Sequence, residues 1–240
     1  MLISGGYYPY YLSPHHATVT RATRYKNALT FDGGIGQAEP VASPTAPGKP
    51  MMSMDTRGQI VNYGSSGAWT ATTGDATLAY RGWDSASGKW TPILTNAVRS
   101  VAYNRQERVV LIYDWATSVS PRKWELNFNA LSPFSGSGSS VKTIRDGVSA
   151  CIDVHVLNGG FATTSGFAVA PERAFPTQYQ ARFSASEASG QFASLTVIRE
   201  DCRSVQVAVA VSAETIEARV AGGAALTFNR RSVVLPLVAP

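Results

Sequence analysis

Several short stretches of this chain alternate apolar and polar residues with a period of two. Trp124, Leu126, Phe128 and Ala130 fall on one side of such a stretch, and Lys123, Glu125, Asn127 and Asn129 on the other. Successive strand side chains point to opposite faces, so this predicts a strand with one apolar and one polar face. Val205, Val207, Val209 and Val211 repeat the pattern against Gln206 and Ser212. Ala150, Ile152, Val154 and Val156 repeat it against Cys151, Asp153 and His155. The unbroken apolar run Val109-Val110-Leu111-Ile112-Tyr113 predicts a central strand covered on both faces. Turn signals separate these runs at short intervals: Asp32-Gly33-Gly34, Ser65-Ser66-Gly67, Ser87-Gly88, Ser135 to Ser140, Asn158-Gly159-Gly160 and Gly222-Gly223. No segment carries a 3.6-residue apolar stripe of helix length. The pattern predicts an all-β fold over residues 1–240: a large antiparallel β-sandwich of two stacked sheets with little or no helix. A second, small sandwich layer is a natural extension at this length. The segment from Ser43 to Gly58 has three prolines and no alternation, and reads as a connector or a cleft-lining loop.

Composition supports strands and tight turns. Charged residues make up only 15% of the 240, well below the roughly one quarter usual in globular chains. The net charge of +5 favours a polyanionic partner, yet no Lys/Arg-rich run of nucleic-acid type occurs. No stretch approaches the roughly 18–20 continuous apolar residues of a membrane span. The first residues, Met1 to Gly6, lack the basic and long apolar regions of a signal peptide. The two cysteines, Cys151 and Cys202, permit one disulfide or two packed thiols, and with no CxxC they argue against a zinc knuckle.

Reactive side chains concentrate between Gly6 and Gln37. That stretch holds Tyr7, Tyr8, Tyr10 and Tyr11, the adjacent His15 and His16, and Arg21, Arg24 and Lys26. Tyr and His serve as acid and base in β-elimination, and cations neutralise the carboxylate beside the proton being removed. Aromatic rings also stack on sugar faces. The set therefore suits an acidic polysaccharide. The plainer alternative is sheet packing by tyrosines, a hydrogen-bonded turn at the histidines and a solvated face at the arginines. In a strand, His15 and His16 point apart, which disfavours metal binding.

The same stretch resembles the C-terminal β domain of the heparinase II/III-like polysaccharide lyases. Ser4-Gly5-Gly6-Tyr7 resembles that family's Asp-Ser-Gly-Tyr turn. Thr23-Arg24-Tyr25-Lys26-Asn27 resembles its Thr-x-x-His-Asn segment, and Leu29 to Gln37 its strand and Asp-Gly-x-Gly-Gln turn. Weaker similarity runs from Val98-Arg99 to Asp114, a strand pair ending in Asp, and over Trp124 to Leu131. The resemblance implies β-elimination of a uronate-containing polysaccharide in a cleft between a helical toroid and the β-sandwich. It places Tyr7, Tyr11, His16, Arg21, Arg24 and Lys26 on the substrate-binding wall. Tyr11, His15 and His16 are the candidates for proton transfer. Asn27, Asp32, Gly33 and Gln37 are expected to hold turns, and His155 to lie on the surface.

Two departures from the family pattern stand out. Family members hold zinc partly through the Asp of the turn and the His of Thr-x-x-His-Asn; here those positions resemble Ser4 and Lys26. A protonated lysine cannot coordinate, so no metal or other cofactor is expected, and Lys26 offers a fixed positive charge in the ion's place. The helical toroid and a His-x-His strand would lie upstream of Met1. The expectation is an N-terminally truncated β domain that does not cleave by itself and that is periplasmic when exported with a full-length partner. The alternative is a non-catalytic carbohydrate-binding or structural module.

Overall fold

The computed structural model describes residues 2–4, 7–8, 10–11, 13–38, 57–84, 86–212 and 215–235. The Ser43–Gly58 loop falls almost wholly outside them.

Numbered along the chain, eighteen strands among the described residues form three stacked layers and a hairpin. The first layer runs β1 (Leu29–Phe31), β8 (Trp124–Ala130), β13 (Tyr179–Ala185), β12 (Gly159–Ser165). The middle layer has eight strands. In order they are β2 (Gln59–Ser66), β3 (Trp69–Asp75), β6 (Leu94–Asn104), β7 (Val109–Arg122), β14 (Ser189–Glu200), β11 (Val148–His155), β10 (Ser140–Arg145) and β9 (Phe134–Ser137). The third layer runs β15 (Val207–Val211), β16 (Thr215–Val220), β17 (Leu226–Asn229), β18 (Val233–Val234). The pair β4 (Arg81–Asp84) and β5 (Lys89–Pro92) stands apart as a hairpin. Every assigned strand pair is antiparallel. Helix is confined to short turns at His16–Thr20, Thr23–Tyr25 and Thr77–Ala79.

The middle sheet contributes to a core on each of its faces because its strands alternate between the two. Ala116 on β7 and Phe192 on β14 join Trp124, Leu126, Phe128 and Phe183 of the first layer. Val109, Leu111 and Tyr113 on β7, with Leu195 and Val197 on β14, join Ile216, Leu226 and Phe228 of the third. The Val109–Tyr113 run does lie on a central strand, but it is fully covered on one face only: Val109, Leu111 and Tyr113 are buried, whereas Val110 and Ile112 on the other face are half-buried and join neither core. The third layer is the small extra sandwich layer that the length allowed. Cys151 on β11 and Cys202, just after β14, form a disulfide, which settles the alternative the sequence left open.

One strand departs from the simple alternation. On β8 the polar residues do not face water: Glu125, Asn127 and Asn129 are as buried as their apolar neighbours. The segment from Ser13 to Ala38 lies over them, and they hold it by hydrogen bonds. Asn127 Nδ2 donates to the Ala28 carbonyl at 2.9 Å and to Thr30 Oγ1 at 2.8 Å. The Asn129 backbone N–H donates to Asn27 Oδ1 at 2.7 Å. Glu125 accepts from Thr30 Oγ1 at 2.8 Å and from the Gly33 N–H at 2.9 Å. Buried polar groups must find partners, and here those partners fix the chemistry-bearing segment on the sheet.

Candidate functional site

The Tyr-His segment is a helical turn rather than a strand. Leu2 bridges to Ala130 and the Ile3 N–H donates to the Asn129 carbonyl at 2.8 Å, so the chain start pairs with the end of β8 that β1 does not reach. The chain then turns through Tyr10 and Tyr11 into the π-helical turn His16–Thr20 and the 3-10 turn Thr23–Tyr25. His15 and His16 therefore project by helical, not strand, geometry, and they have different fates.

His15 is fully buried. Its Nδ1 donates to the Val169 carbonyl at 2.7 Å, and its ring meets Phe167 edge-on at 4.7 Å. Its backbone N–H donates to Glu172 Oε1 at 3.2 Å. This is a packing role, and it leaves His15, one of the candidates for proton transfer, without access to solvent.

His16 is 6% exposed and lies beneath two exposed phenols. The Tyr8 ring centre is 4.4 Å from its own and that of Tyr11 is 4.9 Å away, both tilted. Burial lowers the His16 pKa, and the positive charges of Arg21 and Lys26 lower it further. Its imidazole is thus biased towards the neutral form, the form that accepts a proton. The chain Tyr8–Tyr11–His16–Arg21–Lys26 brings an aromatic surface, a neutral imidazole and two cations into one neighbourhood.

Tyr7 stacks on Phe175 at 5.4 Å, and the Arg173 guanidinium sits 5.1 Å from the same ring. Phe167, Val169, Glu172, Arg173 and Phe175 all come from the loop between β12 and β13, some 150 residues further on. Sequence reasoning missed this loop. Its only signal was two aromatics and an arginine between Gly166 and Pro176, with no periodicity to place them.

Ser4 and Lys26, the positions matched to zinc ligands, are brought together. Lys26 Nζ donates to Ser4 Oγ at 3.1 Å, and burial lowers the lysine pKa. An ammonium donor facing a hydroxyl is no donor set for a divalent cation, so these two residues do not fit a zinc ion. Among the described residues no cluster of His, Cys, Asp and Glu has metal-binding geometry.

Arg24 parts company with this group. Its carbonyl accepts from Gln180 Nε2 at 2.7 Å, while its side chain turns over Tyr25 (5.3 Å) and against Gly34. Asn27, Asp32, Gly33 and Gln37 hold the scaffold. Asn27 Nδ2 donates to the Ile3 carbonyl at 2.8 Å, and Asp32 accepts from Arg122 and from the Lys123 N–H, both at 2.9 Å. The Gln37 N–H donates to Thr23 Oγ1 at 2.9 Å. Arg99, paired across β6 and β7 with Asp114 at 2.7 Å, donates to the Asn27 carbonyl at 2.6 Å. His155 is half-buried in β11 rather than on the surface, and burial lowers its pKa.

Solved structures share this fold. A heparinase III gene product matches with a TM-score of 0.64 at 13% identity, over 95% of this chain and 34% of its own. A second heparinase III matches at 0.58 and 15%, over 88% of this chain and 30% of its own. The heparan sulfate lyase HepC from Pedobacter heparinus matches at 0.55 and 11%, over 90% of this chain and 30% of its own. At such identities the likeness establishes the fold, and this chain spans about a third of the length of those structures. No protein-family model and no curated protein matches the sequence.

Proposed function

We propose that this chain forms one wall of a polysaccharide-lyase cleft for a uronate-containing acidic polysaccharide, and that by itself it binds this polymer without cleaving it. The observation that carries the reading is His16, biased to its neutral form by burial and by Arg21 and Lys26, beneath the exposed Tyr8 and Tyr11 rings. In β-elimination a base removes the proton beside the uronate carboxylate. The electron pair forms a C=C bond as the glycosidic C–O bond breaks, and an acid protonates the departing oxygen. Tyr7, Tyr8 and Tyr11 offer stacking faces, Arg21 and Lys26 offer charge to the carboxylate, and His16 or Tyr11 offers proton transfer. The lyases that share the fold are about three times longer, and elimination requires base, acid and neutraliser to be assembled together. We assign the rest of the cleft to a helical toroid domain outside these 240 residues. Lys26, hydrogen-bonded to Ser4, provides the fixed charge without a metal. The disulfide fits an oxidising compartment such as the periplasm.

The test is titration of the purified chain with acidic polysaccharides, following aromatic fluorescence together with ultraviolet absorbance of the unsaturated uronate product. Binding without new absorbance is the expected result. New absorbance would overturn the assignment of the missing half, and no binding would overturn the polysaccharide reading.

A further inference from the structure

A cavity of about 370 Å³ lies between the Gly33–Gln37 turn and the β4–β5 hairpin. It shares none of the Tyr8–Tyr11–His16–Lys26 group. Arg24 and Arg81 both line it, and Trp90, Ile35 and Ile93 supply apolar wall. The Nε atoms of both arginines are buried, and neither has a hydrogen-bond partner. Among the described residues neither guanidinium forms an ion pair, whereas Arg99, Arg108, Arg122, Arg145, Arg182 and Arg199 each have a carboxylate. Among the described residues no Asp or Glu lines the cavity. The nearest acid in the turn, Asp32, is already engaged by Arg122 and the Lys123 N–H.

Two guanidiniums on one cavity repel each other. An anionic ligand relieves that repulsion, and the planar guanidinium fork matches a carboxylate or sulfate. The glycines keep the space open. A Cβ on Gly34 would press on Arg24 Cδ at 3.2 Å, and one on Gly82 would press on Ile93 at 3.2 Å. The volume lies within the usual range for small-molecule sites, and the indole beside the arginines suits the C–H face of a sugar ring.

We infer that this cavity is a separate saccharide subsite, binding the carboxylate or sulfate of one sugar residue through Arg24 and Arg81. The inference rests on the acidic-polysaccharide reading for its ligand class. The experiment is calorimetric titration with glucuronate, glucose 6-sulfate, glucose and inorganic sulfate. The proteins are the wild-type chain, Arg81→Gln, Arg24→Gln and, as a charge control on β10, Lys142→Gln, each checked for an unchanged unfolding midpoint. One of the charged sugars is expected to bind more tightly than glucose or sulfate. Its affinity is expected to fall about tenfold or more in either arginine variant, the scale of one charge-assisted contact, and to hold in Lys142→Gln. Inorganic sulfate binding as tightly as the sugars would overturn the saccharide assignment, and unchanged affinity in both arginine variants would overturn the site. A long polysaccharide separates the two readings. If it binds wild type and Arg81→Gln alike, the subsite fails while the cleft-wall reading stands. If the charged monosaccharide binds and the polymer does not, the reverse holds.

Discussion

His16 and Lys26 show how one charge pattern sets a protonation state. Both have their pKa values lowered by burial, and the positive charge of Lys26 lowers that of His16 further. The same cause, desolvation, lowers His155 on β11 despite Asp153, which pulls the other way. The sign for stability follows. The unfolded chain protonates each histidine near its ordinary value of about 6.5. The folded chain resists until a lower pH, so the unfolded state binds more protons in between. Stability is therefore fully present above about pH 6.5 and declines as the pH falls below it towards the folded values. Urea midpoints measured from pH 7.5 to 5 should fall, and His16→Gln and His155→Gln should each flatten the slope. A midpoint that rises on acidification would mean that the imidazoles gain, not lose, favourable contacts when charged. His15 makes the contrast at the same scale: one residue earlier, its Nδ1 is satisfied by the Val169 carbonyl and its ring packs on Phe167.

At the scale of elements, the segment from Ser13 to Ala38 owes its position to a row of buried polar side chains on its neighbours. Asn129 is 2% exposed, and its Nδ2 reaches both the Arg24 carbonyl and Asn27 Oδ1 at 3.3 Å. Gln180 on β13 reaches the same carbonyl. Asn129→Ala removes the Nδ2 links and leaves a small void, at a cost of about 1–3 kcal/mol. Hydrogen exchange should show protection lost first across residues 23–31, with β6, β7 and β14 unaffected. Equal loss in the middle sheet would show instead that the segment and the sandwich open together. This element also marks where the sequence was legible. Alternation identified β8 and the faces of its side chains, because strand geometry enforces period two. It could not say what covers the polar face, since that depends on a segment about 100 residues away. Whether the tyrosines pack on a sheet was illegible in the sequence for a related reason. Aromatic residues favour strands on average, but here Tyr8 and Tyr11 lie against His16 of a helical turn, and Val19, Ala22 and Tyr25, from this turn and the next, pack on Phe167. Asn27, Asp32 and Gly33, which the resemblance assigned to turns, adopt positive φ (52°, 50° and 88°), a backbone conformation that few residue types tolerate.

For the whole molecule, the middle sheet decides whether the three layers unfold together. β14 contributes Phe192 to one core and Leu195 and Val197 to the other, so neither core can open without disturbing the same strand. The Cys151–Cys202 bridge fastens this strand's end to β11 across a sequence separation of 51. Within that span lie β12, β13 and the loop that carries Phe167 and Phe175 onto the candidate surface. The bridge restricts the unfolded chain more than it adds contacts to the folded one, and bridges of this kind contribute about 2–4 kcal/mol. Cys202→Ser, compared with the oxidised wild type in urea, should lower the midpoint by an amount in that range while keeping one transition and a similar slope. The shared strand makes a single transition the expected form even without the bridge. Two transitions in Cys202→Ser would mean that the third layer separates once β14 is released, and that the disulfide, rather than the shared strand, couples the cores. An unchanged midpoint would mean that the hydrogen-bonded register of β14 with β7 and β11 already confines that strand, and that the bridge contributes little to the fold.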